Sequence, residues 1–316
     1  MLFVVTAVAS LAVAAPTQSE KASKKELAEA GRELADMYRE DQDDQNRWDE
    51  LGDAEAAKRQ DTRRDRALEL VSRGLLDEPV DFYHAAMLFQ HGKGVDDFLL
   101  AHVLATVAAF DGDGGGKFLS AAALDRFLQN VGELQRFGTQ FFDAQGTDLG
   151  DTSKLVSEAV VAVFRGGAPY SGSGLNGRPV DAAATSKKEL KKAHKELKSL
   201  SKELKGKEGE DAVDAVRQAL EIVHAGKLET GDDFYLAATI LQHGQDADAL
   251  LLAHVCATAA GILEEKGARE LCAETLDGYL KATGRAPIFE PEEGKAVPEV
   301  LKLHPSVRAR FDGKKK

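Results

Sequence analysis

Cysteine is almost missing from this chain. Two in 316 residues exclude a disulfide-stapled miniprotein and any four-thiolate zinc site. Aromatic residues are scarce at 6%, and with Ala and Leu abundant the balance favours helix over strand. Basic residues are outnumbered, 41 Lys and Arg against 53 Asp and Glu, for a net charge of −12. So acidic a chain is a poor general binder of phosphate backbones, and no nucleic-acid partner is expected. There is no Gly-rich phosphate loop leading into a lysine and helix, no G-x-S-x-G, and no interleaving of aromatic and basic residues. What is present, 43% apolar content, is ample for a core, and the length suggests two folded units or one long array.

Met1 to Ala15 reads MLFVVTAVASLAVAA, an apolar run ending in small residues. It is too short for a hydrocarbon core that takes roughly 20 helical residues, and Ala12-Val13-Ala14 has the small-x-small form of a cleavage site. A signal peptide over 1–15 is expected, hence a secreted or periplasmic protein. No later stretch is long and apolar enough to span a membrane.

The remainder contains itself twice. Residues 67–109 align without a gap on 219–261, at an offset of 152, with about half the positions identical. Asp81-Phe82-Tyr83 matches Asp233-Phe234-Tyr235, Gln90-His91-Gly92 matches Gln242-His243-Gly244, and Leu99 to Val103 matches Leu251 to Val255. Upstream, Ser23-Lys24-Lys25-Glu26-Leu27 recurs as Ser186-Lys187-Lys188-Glu189-Leu190, now 163 apart, so the second copy lacks about eleven residues between the counterparts of Leu34 and Ala67. The expected organisation is a helical unit at 20–145, a linker at 146–184 with one short helix, a degenerate second unit at 185–290, and a C-terminal tail at 291–316. The linker includes the flexible run Gly166 to Gly174, and the tail ends in three lysines.

Each unit reads as helices. Ser23 with Glu26 and Ser186 with Glu189 have capping-box spacing. Leu190, Ala193, Leu197, Leu200 and Leu204 form an apolar seam, and the nine lysines and three glutamates over Lys187–Lys207 read as its solvated face. From Phe82 to Ala109, two apolar helices flank a Gly92-Lys93-Gly94 break, with small residues at helical spacings. This hairpin resembles those of tetratricopeptide and Sel1-like repeats. The fold class expected is therefore all-α, two duplicated units of antiparallel helical hairpins in a bundle or short solenoid-like array.

Polar residues with chemical potential cluster in the first unit. Asp41-Gln42 (or Asp44-Gln45), Gln90-His91, Asp125-Arg126 and the run Gly132 to Gln140, with Gln135, Gly138, Thr139 and Gln140, occur in that order. Over about residues 30–142 this pattern resembles an uncharacterised bacterial domain-of-unknown-function family, a resemblance that implies a fold and a site location but no activity. The second unit has Gly278, Pro287 and Glu290-Pro291-Glu292 where Arg126, Gln135 and Gly138-Thr139-Gln140 would fall. Asp125, Arg126, Gln135, Thr139, Gln140, Gln90, His91 and Asp41 are thus the candidate ligand-binding residues. Each also has a structural reading. Asp125-Arg126 serves as an ion pair, Gln90-His91 as a helix end whose histidine bonds terminal carbonyls, and Gly138-Thr139-Gln140 as a turn satisfying backbone groups. As a site, Asp and His would supply base and acid and Arg126 would hold an anionic group. No nucleophile-plus-base spacing accompanies them, so binding is expected rather than catalysis.

No metal or other cofactor is expected. Asp111 to Gly116 mimics the start of a calcium loop but has Gly115 and Ala122 where ligands belong. His91 with His102, and His243 with His254, would meet across their hairpins without carboxylate or thiolate company. Cys256 and Cys272 either pair as a disulfide or lie buried as free thiols. The function expected is binding of another exported protein or peptide, paired-helix arrays being suited to it. A hydrolase or small-molecule binder with a polar site in unit one is the alternative.

Overall fold

A computed structural model describes residues 22–140, 156–165, 185–205 and 212–313. Among them every regular element is helical: α1 (Lys24–Asn46), α2 (Trp48–Leu51), α3 (Asp53–Ser72), α4 (Pro79–Gln90), α5 (Val95–Phe110), α6 (Gly114–Asn130), α7 (Glu158–Phe164), α8 (Lys187–Glu203), α9 (Val213–His224), α10 (Gly231–Leu241), α11 (Ala247–Ile262), α12 (Ala268–Ala282) and α13 (Pro305–Arg308), with a 3₁₀ turn at Glu299–Leu301. The expected signal segment 1–15 and the Gly166 to Gly174 run lie outside the described residues.

Sequence dictates which helices sit at the centre. From Asp97 to Phe110 every residue of α5 is buried, as is nearly all of α11, because neither helix has a polar face to offer water. They pack against each other and against α4 and α6, and α10 and α12, respectively. By contrast, α8 buries Ala193, Leu197 and Leu200 and exposes its lysines, and it starts at a complete Ser186–Glu189 capping box. Ser23 and Glu26 build the same box on α1. Both ends of α11 lie 152 residues beyond those of α5. The edge helices correspond at an offset of 163, with Ala30, Leu34 and Met37 buried on α1 as Ala193, Leu197 and Leu200 are on α8. A Cβ on Gly31 would come 2.7 Å from Asp81 Oδ1, and at the corresponding place His194 Nδ1 meets Asp233 Oδ1 at 2.6 Å.

The eleven extra residues of the first unit lengthen helices rather than make a loop. They carry α1 through Asp41–Asn46 and start α3 at Asp53, with Trp48 Nε1 donating to Asp53 Oδ1 across the short α2.

Two segments outside the aligned stretches pack onto them. The short helix expected within 146–184 is α7, which buries Val160, Val161 and Phe164 against α6 and α11, and the Val156 N–H donates to the Arg136 carbonyl at 2.8 Å. The segment called a tail folds back. Leu301, Leu303, Val307 and Phe311 are buried, and Arg310 reaches Asp111 Oδ2 at 2.5 Å and the Asp77 carbonyl at 2.6 Å while stacking over Phe82. Its spaced apolar residues need a surface, and the first unit supplies one.

Candidate functional site

The polar cluster begins on the extension of the first unit. Asp41 and Asp44 lie one turn apart on α1, and Arg59 and Arg63 one turn apart on α3, so each helix presents its pair to the other. Arg63 Nη1 lies 2.8 Å from Asp44 Oδ2 and its Nη2 3.7 Å from Asp41 Oδ1. Arg59 Nη1 reaches Asp44 Oδ1 at 3.3 Å. Asp41 is 1% exposed and Arg63 7%, so these charges have left water and depend on one another.

His91, the C-cap of α4, joins this cluster. Its Nδ1 lies 2.6 Å from Asp41 Oδ2. A carboxylate only accepts, so Nδ1 carries the hydrogen, and in the neutral ring Nε2 keeps its lone pair. This corrects the expectation that His91 bonds terminal carbonyls. The helix-end carbonyl of Gln90 instead accepts from Arg126 Nη1 on α6.

From Arg126 the network continues into the loop at 131–140. Arg126 Nε donates to Gln140 Oε1 at 2.9 Å, and its guanidinium lies over the Phe98 ring. The Gln140 N–H donates to Gln135 Oε1 and Gln135 Nε2 to the Gln140 carbonyl, both at 2.8 Å. Gln140 Nε2 also donates to Thr139 Oγ1 at 3.2 Å. Asp125 receives four bonds, from the N–H groups of Arg136, Phe137 and Thr139 and from the Thr139 hydroxyl, at 2.7–3.0 Å. It does not pair with Arg126, whose side chain leaves α6 toward α4. Burial pushes the Asp125 carboxyl above its ordinary range against those four bonds, and burial likewise lowers Arg126. All eight candidate residues therefore lie along one polar chain from Asp41 to Thr139, hydrogen-bonded from Asp41 to His91 and again from the Gln90 carbonyl onward, the two parts joined by the Gln90–His91 peptide.

Its two ends differ in character. Asp125, Gln135, Thr139 and Gln140 bond to one another, to local backbone and, through Gln140 Oε1, to Arg126, the arrangement of a loop anchor. Asp277 makes the same anchor in the second unit, accepting from the N–H groups of Ile288, Phe289 and Glu290. The Asp41 end has no such repeat. By the two offsets Leu204 and Ala215, both buried, stand at the places of Asp41 and Arg63, and Gly278 stands at that of Arg126. This end also has unused capacity among the described residues: Arg63 Nε and Nη2 and Gln90 Oε1 are buried without hydrogen-bond partners. What it can do chemically is hold an acceptor at Arg63, offer an acceptor at Gln90, and take a proton or donor at His91 Nε2.

Sequence reasoning missed Arg63. It lies in the run Lys58 to Arg66, among other arginines, and only its one-turn spacing from Arg59, opposite the one-turn spacing of Asp41 and Asp44, singles it out. The other expectations resolve as follows. Asp113 caps α6, its carboxylate accepting from the Gly116 N–H, while Asp111 binds Arg269 and Arg310. His91 does not meet His102, and His102 pairs with His254 instead. Cys256 and Cys272 are free and buried. Among the described residues no cluster of three or more His, Cys, Asp or Glu could hold a metal, and no helix is long and apolar enough to cross a membrane.

No family model matches the chain, and no curated protein or solved structure matches it either.

Proposed function

We propose that the protein is an exported binding protein, descended from a doubled helical unit, that holds a small polar ligand at the Asp41–His91–Arg63 end of its first unit. The observation that carries this reading is the unsatisfied, buried hydrogen-bonding capacity of Arg63 and Gln90 beside the Asp41–His91 pair. Buried polar groups are ordinarily paired, and a set left unpaired in one unit is replaced by Leu204 and Ala215 in the other. The resemblance of residues 30–142 to an uncharacterised family supports the same location, since its Asp-Gln, Gln-His and Asp-Arg positions fall on this network. Recognition of an exported protein or peptide through the helical faces is the second reading, favoured by the paired-helix form. Were a bound ester or amide turned over, His91 would be the general base for water.

A thermal-shift screen of metabolites and peptides tests this, comparing wild type with Arg63→Gln and His91→Gln, since a ligand for the native state adds RT ln(1 + [L]/Kd). The expected result is a small molecule that raises the wild-type Tm and leaves both variants unmoved. A peptide that stabilises all three proteins equally would transfer binding to the helical faces and sink the polar-site reading.

A further inference from the structure

The middle of the molecule holds a contact that the polar cluster does not use. His102 on α5 and His254 on α11 are 2% and 1% exposed and face each other Nε2 to Nε2 at 2.7 Å. His102 Nδ1 lies 2.8 Å from the Ser120 carbonyl on α6, and His254 Nδ1 lies 3.0 Å from the Cys272 carbonyl on α12. Each of these three contacts calls for one proton, and two neutral imidazoles bring only two. One proton must lie between the Nε2 atoms, because two bare lone pairs repel at hydrogen-bond distance. One Nδ1 is then without a hydrogen.

The two ends of the contact are not alike. The Ser120 hydroxyl donates to the Lys117 carbonyl at 2.9 Å and is not available to His102. Cys272 Sγ lies 3.7 Å from His254 Nδ1. Burial pushes the Cys272 thiol up to about 12, so it keeps its hydrogen, and its neighbour Thr258 donates its own to the His254 carbonyl. A thiol donor is therefore present at one end only, with Thr258 Oγ1 at 3.3 Å and His254 Nδ1 at 3.7 Å as its two acceptors.

We infer that the two rings hold opposite tautomers in a directional proton chain linking the two halves. In it the Cys272 S–H donates to His254 Nδ1, His254 Nε2–H to His102 Nε2, and His102 Nδ1–H to the Ser120 carbonyl. Cys272 is the positioning residue that sets the direction. Burial lowers His102 to about 4, and burial with the charge of the partner ring lowers His254 to about 3, so the chain is neutral at pH 7. Several charged groups on the four surrounding helices are engaged away from the pair. Asp97 meets Arg64, Asp248 meets Arg136, Arg269 meets Asp111, Arg126 meets Gln140, and Asp125 and Asp277 hold their loops. His254 Nδ1 already faces the Cys272 carbonyl without a hydrogen, so losing the thiol would take away its one donor, and the pair would answer by taking up a proton.

Long-range ¹H–¹⁵N correlation of the ¹⁵N-histidine-labelled full chain at pH 7 tests this, with ring signals assigned through His102→Asn. The expected spectrum shows His254 protonated at Nε2 and bare at Nδ1, and His102 the reverse. Two rings of the same tautomer, or an imidazolium, would overturn the inference. Cys272→Ala is expected to shift the pair toward the imidazolium pattern and raise its titration midpoint by one pH unit or more, whereas Cys272→Ser, which retains a donor, should hold the wild-type pattern. An unchanged pair in Cys272→Ala would remove the thiol from the chain and defeat the proposal. If that variant does not fold, the wild-type and Cys272→Ser spectra decide alone.

Discussion

Acidification from pH 7 to pH 4 should remove about 6 kcal/mol of folding stability through His102 and His254. In the unfolded chain each imidazole accepts a proton near pH 6.5. In the folded protein burial holds the same groups at about 4 and about 3. Their folded values lie below the unfolded one, so the native state is undisturbed above pH 6.5 and loses stability as the pH falls from there toward 4 and then 3. Each unit of difference is about 1.36 kcal/mol, which gives a loss of about 3 kcal/mol per ring by pH 4. Domains are stable by only about 5–15 kcal/mol, so this loss should be plain in urea unfolding followed by far-UV circular dichroism at pH 7, 6, 5 and 4. The control is His102→Leu with His254→Leu. Removing both partners of a buried contact for apolar groups of similar size is nearly neutral, so the double variant should resemble wild type at pH 7 and hold most of its stability at pH 5. A double variant that loses stability between pH 6.5 and 4 as steeply as wild type would refute the reasoning.

Three further outcomes are expected. Arg63→Ala alone should cost about 3–5 kcal/mol by stranding the Asp41 and Asp44 charges, while Asp41→Leu with Arg63→Ala, which installs the second unit's residues, should recover much of that loss in denaturant midpoints. Asp125→Ala should cost about 3 kcal/mol and expose the amides of Arg136, Phe137 and Thr139 to hydrogen exchange, with α1 and α3 unaffected. Glu264 has a left-handed backbone, φ 60°, where the first unit has Gly112 at φ 98°, so Glu264→Gly should raise stability by about 1 kcal/mol in the same unfolding assay.

The helical plan was legible because its signals are local. Ser23 with Glu26 and Ser186 with Glu189 carry their caps within four residues, and the apolar seam of α8 needs only its own periodicity. The repeat offset also places α11 from α5 to the residue. Half of the candidate site was legible for a different reason. Gly138-Thr139-Gln140 is a polar run with no packing face, and such a run must bond to something. Arg63 was not, because one arginine among several is chosen by what lies opposite it, and its partners are Asp41 and Asp44 on another helix. The C-terminal segment hid for the same cause. Arg310 and Phe311 look like solvated tail residues until Asp111, Phe82 and Phe110 are placed beside them, some two hundred positions upstream. Likewise the hairpin view paired each histidine within its own unit, and only the packing of α5 on α11 brings His102 to His254.

That C-terminal return has a consequence for how the chain matures. Asp111 receives Arg269 and Arg310, and the Asp77 carbonyl receives Arg310, so Asp111 waits for cations made 158 and 199 residues after it. This seam of the first unit closes only when Arg310 arrives. A truncation before Arg310 therefore acts on Asp77 and Asp111, at a distance no reading of neighbouring residues would suggest.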